Sequence, residues 1–426
     1  MKKRMAIFIV LISLLFSTVV VYAQHKIVDD STEHRSTQYE ATLLYNEMML
    51  EFVRLYGESD GYPSSYPKYY AGSYINGDDK LVIKFVDRSI MNTSENLDNL
   101  KRLLSSIYVN KSENQSQLID LNDIVVFEPT LYSYNEMTTK LDSLISNSTD
   151  EILGGYIDER GSSVVVFVEN SESIEQFFTM TRDSNVTGLS KEINSLIPVK
   201  VEISEISQPS ANHISGQGPY THGNAGGVTL GFTGRYSGKK AYLTCGHTSA
   251  FSVGSSAKYQ SGTIGTVASK RWVNNGSGDW AIITLLDSQS ITGIIKKNGS
   301  GSSAGKISSR LNYVPVGATV YRYGNQSKTW SSDKVQAINV QKSWWSNGEG
   351  SAAYTIKGLV KTSVISGAYP QLGDSGGPIV LSEGNNNYAA VGTFTGFNLS
   401  GDLYYSPMSH VPSGFTVEIG YDGDLP

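Results

Sequence analysis

At 426 residues, with 39% hydrophobic residues and a formal net charge of -6, the chain is long enough for two or three domains with cores of their own. Lys and Arg total 34 against 40 Asp and Glu, so no basic excess points to nucleic acid, and a single cysteine, Cys245, excludes an intramolecular disulfide. The 42 glycines and 26 tyrosines suit a β-rich exported protein.

The basic start Met1 to Arg4, the apolar run Met5 to Val21 and the small residue Ala23 before Gln24 have the layout of a bacterial Sec-type signal peptide over residues 1–23. The expectation is secretion, with membrane contact only during export. A retained membrane anchor is the competing reading of the same run.

Residues 24 to about 210 carry amphipathic segments and many acids. His34 to Gly57 and Asn92 to Val109 have apolar residues at helical spacing, with Asn92 or Thr93 as a cap for the second. Between them lies an internal repeat: Gly72 to Val86 is echoed by Gly154 to Val168, each a strand, a polar turn and a strand, followed by a helix, Ser171 to Thr181 in the second copy. The expected organisation is an α+β region of two hairpin-helix units, about 24–130 and 131–206, then a linker to 212. From 24 to 213 there are 15 Lys and Arg against 30 Asp and Glu, a net of -15; from 214 to 426, 16 against 10, a net of +6. Opposite signs favour docking of one part on the other, weakened by salt. A solvated acidic surface is the blander alternative.

Ser207 to Gly218 is rich in chain breakers and marks the boundary. His213 and His222 beside it have no metal-ligand spacing, and neither a metal nor another cofactor is expected. From 226 the pattern is short strands with Gly, Ser and Asn turns: Val228 to Thr233, Lys240 to Thr244, Gly262 to Ser269, Trp280 to Leu286, Thr319 to Tyr323, Lys334 to Val340, Ala352 to Thr362, Gly376 to Leu381 and Tyr388 to Thr395. Helical periodicity is missing, which argues for an all-β domain over 213–426. Cys245, a lone small thiol in an apolar strand, reads as core filling.

Three stretches in this part carry chemistry. Gly373-Asp374-Ser375-Gly376-Gly377-Pro378 holds a hydroxyl in a turn between glycines, where backbone N–H groups can crowd a reacting carbonyl. Thr244-Cys245-Gly246-His247-Thr248 supplies an imidazole, and Ser277-Gly278-Asp279-Trp280 a carboxylate. An alkyl hydroxyl needs a base, and the base needs a carboxylate to fix its tautomer, so His247, Asp279 and Ser375 form a candidate catalytic triad. The glycine-flanked serine also fits the elbow of α/β-hydrolases, but there the acid and the histidine follow the serine, and here only His410 lies downstream.

The order His, Asp, Ser and the residues around each resemble the chymotrypsin-like serine proteases, in particular the bacterial secreted branch of α-lytic protease and the streptogrisins. The resemblance covers about 214 to 415. It implies two six-stranded barrels with the triad in the cleft between them, and N–H groups of Gly373 and Ser375 as the oxyanion hole. The family usually has a bridged cysteine after the histidine; this chain has Thr248. The segment Val320-Tyr321-Arg322-Tyr323-Gly324 is similar to the family segment whose arginine holds the aspartate beside the nucleophile, which implies an Arg322–Asp374 pair supporting the oxyanion loop. Val391 to Phe397 aligns with the strand that pairs with substrate: Phe394, Thr395, Gly396 and Phe397 would line the primary pocket with Leu372 from the Tyr369 to Leu372 wall, and Thr395 would also touch the triad aspartate. No acid or histidine suits a charged side chain there, so small to medium apolar residues are expected.

Two repeated units ahead of such a domain are similar to the pro-regions of this family, which assist folding, inhibit, and are removed; processing is expected near Asn212 to Ile214. The expected activity is that of a secreted serine endopeptidase acting on polypeptides, with its own pro-region as partner. A catalytically silent protease-like binding protein and an esterase using the same triad are the alternatives.

Overall fold

The computed structural model describes residues 36–88, 95–112, 121–147, 152–170, 196–204, 208–209, 228–248, 251–259, 262–289, 291, 293–296, 303–345, 353–398 and 400–420. The signal segment, the second-copy helix Ser171 to Thr181, His213, His222 and the expected processing site lie outside them.

The first helix, Thr37–Tyr56, begins at Ser36, whose Oγ accepts the Tyr39 N–H at 3.2 Å, and ends at Gly57, where φ is 81°. Its apolar stripe of Tyr45, Met48, Met49 and Phe52 is wholly buried. An antiparallel hairpin follows, Tyr70–Ile75 with Leu81–Val86, then the helix Glu95–Ser112, then Val125–Thr130 returning parallel to Leu81–Val86. A parallel return needs a crossover, which the helix provides. The chain then repeats this order of strands: the helix Tyr134–Asn147, the hairpin Ile152–Asp158 with Ser163–Val168, and Val199–Ile203 parallel to the latter.

The C-terminal half is built from strands. One sheet has six, in the order Ser256–Tyr259, Gly262–Arg271, Trp280–Leu285, Lys239–Thr244, Phe232–Tyr236 and Phe415–Val417. Inward residues Leu243, Ile282, Phe232 and Phe415 are buried on one face, while Val267, Ala281 and Ile283 pack on the other. A sheet covered on both faces explains why Trp280–Leu285 is apolar almost throughout.

The second sheet, of thirteen strands, crosses between the halves. Its longest hairpin joins Trp330–Trp345 to Ala353–Ser366, and Ile152–Asp158 pairs with its outer edge through Gly154 opposite Lys342 and Gly155 opposite Gln341. Gly154 has φ of 140°, and a Cβ there would overlap the Gln341 carbonyl, so glycine permits this approach. The described residues from 36 to 420 form one compact unit, and an apolar cluster runs from the first helix, through Tyr62, Tyr70 and Tyr134, to Tyr313, Val316, Val335 and Phe394. Polar caps fix the register of this contact. The Asn46 carboxamide oxygen accepts the N–H groups of Asn312 and Tyr313, and Gln38 exchanges two hydrogen bonds with the Thr319 backbone. The acidic and basic halves also meet directly, where Lys361 Nζ lies 3.0 Å from Glu202.

Among the described residues no helix is long and apolar enough to cross a membrane.

Candidate active site

His247 sits just past the strand Lys239–Thr244, and Asp279 just before Trp280–Leu285, two strands that pair directly. Their pairing brings the imidazole and the carboxylate together. Gly246 makes this possible: a Cβ there would overlap the carbonyls of Arg271 and Trp280. Asp279 Oδ1 accepts the N–H groups of Gly246 (2.6 Å) and His247 (2.9 Å), and Oδ2 lies 2.7 Å from His247 Nδ1. His247 Nε2 lies 3.1 Å from Ser375 Oγ. All three residues are buried. Burial opposes the charged imidazolium, but the adjoining Asp279 carboxylate and neighbouring Cys245 together outweigh it and raise the His247 pKa. Trp272 packs against the imidazole in an edge-to-face arrangement, with ring centroids 5.4 Å apart.

The arrangement can pass a proton. Two hydrogen bonds hold Asp279 so that its second oxygen meets Nδ1, which leaves Nε2 free to take the Ser375 proton.

The turn around Ser375 is pinned from several sides. Thr229 donates its N–H to the Ser375 carbonyl at 2.7 Å and its hydroxyl to the Gly373 carbonyl at 2.9 Å. Gly373 has φ of 102° and Gly376 of 83°, conformations that favour glycine. The Gly376 N–H donates to Phe394, whereas the N–H groups of Gly373 and Ser375 have no backbone acceptor among the described residues. Nothing in the local sequence pattern around Thr229 marks it for its role in pinning this turn.

Two expectations about supporting residues change. Arg322 does not pair with Asp374: its Nε lies 3.0 Å from Asp333 Oδ2, its Nη2 donates to the Ala368 carbonyl, and its guanidinium lies 5.3 Å from the Phe394 ring centroid. Asp374 is held instead by three backbone N–H groups, of Gln326 (2.7 Å), Ser327 (3.0 Å) and Gln371 (2.8 Å). The chain turns so closely there that a Cβ on Gly324 would overlap the Asp374 carboxylate. A nest of amides thus takes the place of a cation. Thr395 does not touch the triad aspartate either. Its hydroxyl is buried without a partner among the described residues, while Ser406 Oγ accepts the Asp279 N–H at 3.0 Å. The cause is a register shift between Phe394 and Gly396 against the strand Leu403–Pro407, which takes Thr395 out of alternation.

Of the expected pocket residues, Phe394 and Thr395 are fully buried, Phe397 is partly buried and Leu372 is exposed. Gly396 and Phe397 pair antiparallel with a short strand from the N-terminal half, Gly396 opposite Pro209 and Phe397 opposite Gln208. The chain leading to that strand is anchored where Ser204 Oγ meets buried Lys342 at 2.7 Å. Cys245 is a free, fully buried thiol.

Residues 30–126 match the family described as Pro-like N-terminal domain. Several solved proteases resemble parts of the chain at low identity. It is similar to Thermobifida fusca protease A, with 21% identity, a TM-score of 0.37, and 48% of this chain and 98% of that one covered. For Cellulomonas bogoriensis chymotrypsin the values are 23% identity and a TM-score of 0.34, over 45% and 90%. An alpha-lytic protease homolog, N4, matches at 22% identity and a TM-score of 0.33, over 45% and 92%.

Proposed function

We propose that this chain is the precursor of a secreted serine endopeptidase, with a signal peptide over 1–23, a pro-region over 24–212 and a protease domain over 213–426. The observation that carries the reading is the unbroken run from Asp279 through His247 to Ser375, at 2.7 and 3.1 Å. In the protease domain the two sheets are read as the walls of two six-stranded barrels. The pro-region is read as two copies of a hairpin, a helix and a parallel strand.

In the proposed reaction Ser375 Oγ attacks the carbonyl carbon of the scissile peptide while its proton passes to His247 Nε2. The N–H groups of Gly373 and Ser375 receive the oxyanion, and Asp279 stabilises the imidazolium through Nδ1. The imidazolium then protonates the leaving amine, the C–N bond breaks, and an acyl ester remains on Ser375. Water, losing its proton to Nε2, hydrolyses that ester and restores the hydroxyl. Nothing in this sequence calls for a metal or a cofactor.

An extended substrate would add itself as a strand along Gly396 and Phe397, an edge that Gln208 and Pro209 already cover. The pro-region is therefore read as an inhibitor that lies along the substrate edge, and its shared core with the second sheet as the template on which that sheet folds.

An organophosphonyl fluoride tests the nucleophile, since attack by Ser375 expels fluoride and leaves a stable phosphonyl ester. One adduct per processed chain is expected, located on Ser375 and absent in His247→Ala. A Ser375 no more reactive than free serine would favour the silent binding reading. Labelling with turnover of acyl esters but of no peptide would favour the esterase.

A further inference from the structure

Both ring nitrogens of His410 are shut off from solvent and neither makes a well-formed hydrogen bond among the described residues, the Asp60 backbone carbonyl being the polar group that comes near the ring. This is unusual for so polar a ring, because a buried polar group without a partner costs free energy. Three glycines from three separate elements enclose it. Gly278 immediately precedes the triad Asp279, Gly358 belongs to the strand Ala353–Ser366, and Gly61 comes from the N-terminal half; a Cβ on any of them would overlap the ring.

Gly61 is delivered by a small hairpin. Glu58–Ser59 pairs with Tyr62–Pro63 through a two-residue turn, Asp60-Gly61, with φ of 53° and 76°, the backbone a tight hairpin with matching twist requires. Tyr62 lies edge-on to the His410 ring at 6.0 Å and against Tyr313 at 5.7 Å. The tip of this hairpin therefore helps to cover the nitrogens of a partly buried imidazole that belongs to the C-terminal half, beside the residue preceding Asp279.

We propose that His410 is a protonation-sensitive latch, and that its charging in acid loosens the hold of the N-terminal half on the protease domain. The role of that hold in keeping the peptidase inactive rests on the reading proposed above; the latch itself is a property of the contact. The groups facing the ring make charging unfavourable in sum. Burial is the largest influence and opposes the cation, Arg271 opposes it too, and Asp60 favours it through its charge and its carbonyl; together they push the His410 pKa down to about 4. Tyr62 stays neutral, its own pKa raised by burial. Once the hairpin withdraws, water reaches the ring and its pKa returns toward the ordinary ~6.5. The sign follows: the closed contact binds fewer protons than the open one, so closure is at full strength above ~6.5 and weakens as the pH falls toward 4.

The full-length precursor carrying Ser375→Ala, which cannot cleave itself on the proposed mechanism, allows a direct test. The N–H groups of Asn312, Tyr313 and Asn339 in the C-terminal half bond to Asn46 and Tyr62 of the N-terminal half, so their exchange with solvent deuterium reports undocking. After correction for the intrinsic pH dependence of exchange, the opening constant should rise about 20-fold from pH 7 to pH 5. Adding His410→Phe should abolish most of that rise, and His410→Gln, smaller and unable to titrate in this range, should do the same if the phenyl ring does not fit. An unchanged rise in both variants, or no rise in the parent, would overturn the latch. Failure of the wild-type chain to act as a peptidase would instead remove the proposed function while leaving this measurement readable.

Discussion

Asp279→Asn is expected to leave the chain folded and to cut peptide hydrolysis by roughly 10⁴-fold. Asp279 Oδ1 accepts two backbone N–H groups, from Gly246 and His247, and an asparagine would keep its carbonyl oxygen there. Its amide would then face His247 Nδ1 as a donor. The imidazole must answer as an acceptor, which moves its proton to Nε2, the atom that has to receive the Ser375 proton. The base is thereby lost with little change in packing. Thermal unfolding of the variant within a few degrees of wild type, together with the fall in kcat, would establish this. A small loss of kcat would mean that His247 is not oriented by Asp279.

The second large effect concerns stability. Arg322→Ala is expected to cost roughly 3–5 kcal/mol, because it leaves Asp333 buried without its cation. Both side chains are almost fully enclosed, and Asp333 Oδ1 and Arg322 Nη1 already lack partners among the described residues. Burial raises the Asp333 pKa despite the nearby guanidinium. Without Arg322 it should rise further, so Asp333 would fold best protonated. The penalty should therefore shrink as pH falls toward the carboxylate range and grow above it. Denaturant unfolding at two pH values checks the trend, and Arg322→Ala with Asp333→Ala should cost much less than the two single changes added. Additive costs would show that the pair is not coupled.

The meeting of His247, Asp279 and Ser375 is legible in the sequence because each sits in a marked local pattern: a glycine before His247, a strand start at Asp279, glycines around Ser375. The partner of Arg322 depends on register instead. Arg322 lies opposite Ser331, so Asp333, two residues along, shares its face of the sheet, a relation that exists only once those strands pair. Asp374 is satisfied by backbone amides, which any sequence carries, and the resemblance supplied an arginine for a task done without one. Thr395 failed for a third reason, a shifted register that alternation cannot foresee.

Elements followed the same logic. The two helices expected from apolar spacing are present at Thr37–Tyr56 and Glu95–Ser112, while the helix Tyr134–Asn147 has no counterpart among the expected elements. It had a readable start: Ser133 and Glu136 form a reciprocal cap, the Glu136 N–H donating to Ser133 Oγ and the Ser133 N–H to Glu136 Oε2. The expected strand Lys334 to Val340 is part of the longer Trp330–Trp345, and 353–362 of the expected Ala352 to Thr362 belongs to Ala353–Ser366, Ala352 lying outside the described residues; past Val340 the buried polar residues Lys342 and Ser343 interrupt the apolar pattern that would announce the first extension. The pairing of Gln208–Pro209 with Gly396 and Phe397 had no signal at all, since two residues carry no period.

The most direct test of the proposed function is an intact-mass time course of the purified precursor beside Ser375→Ala. The account predicts that wild type converts to a fragment beginning near Asn212 to Ile214 while the variant stays whole. Equal conversion of both, or none in either across a range of pH and salt, would contradict self-processing by Ser375.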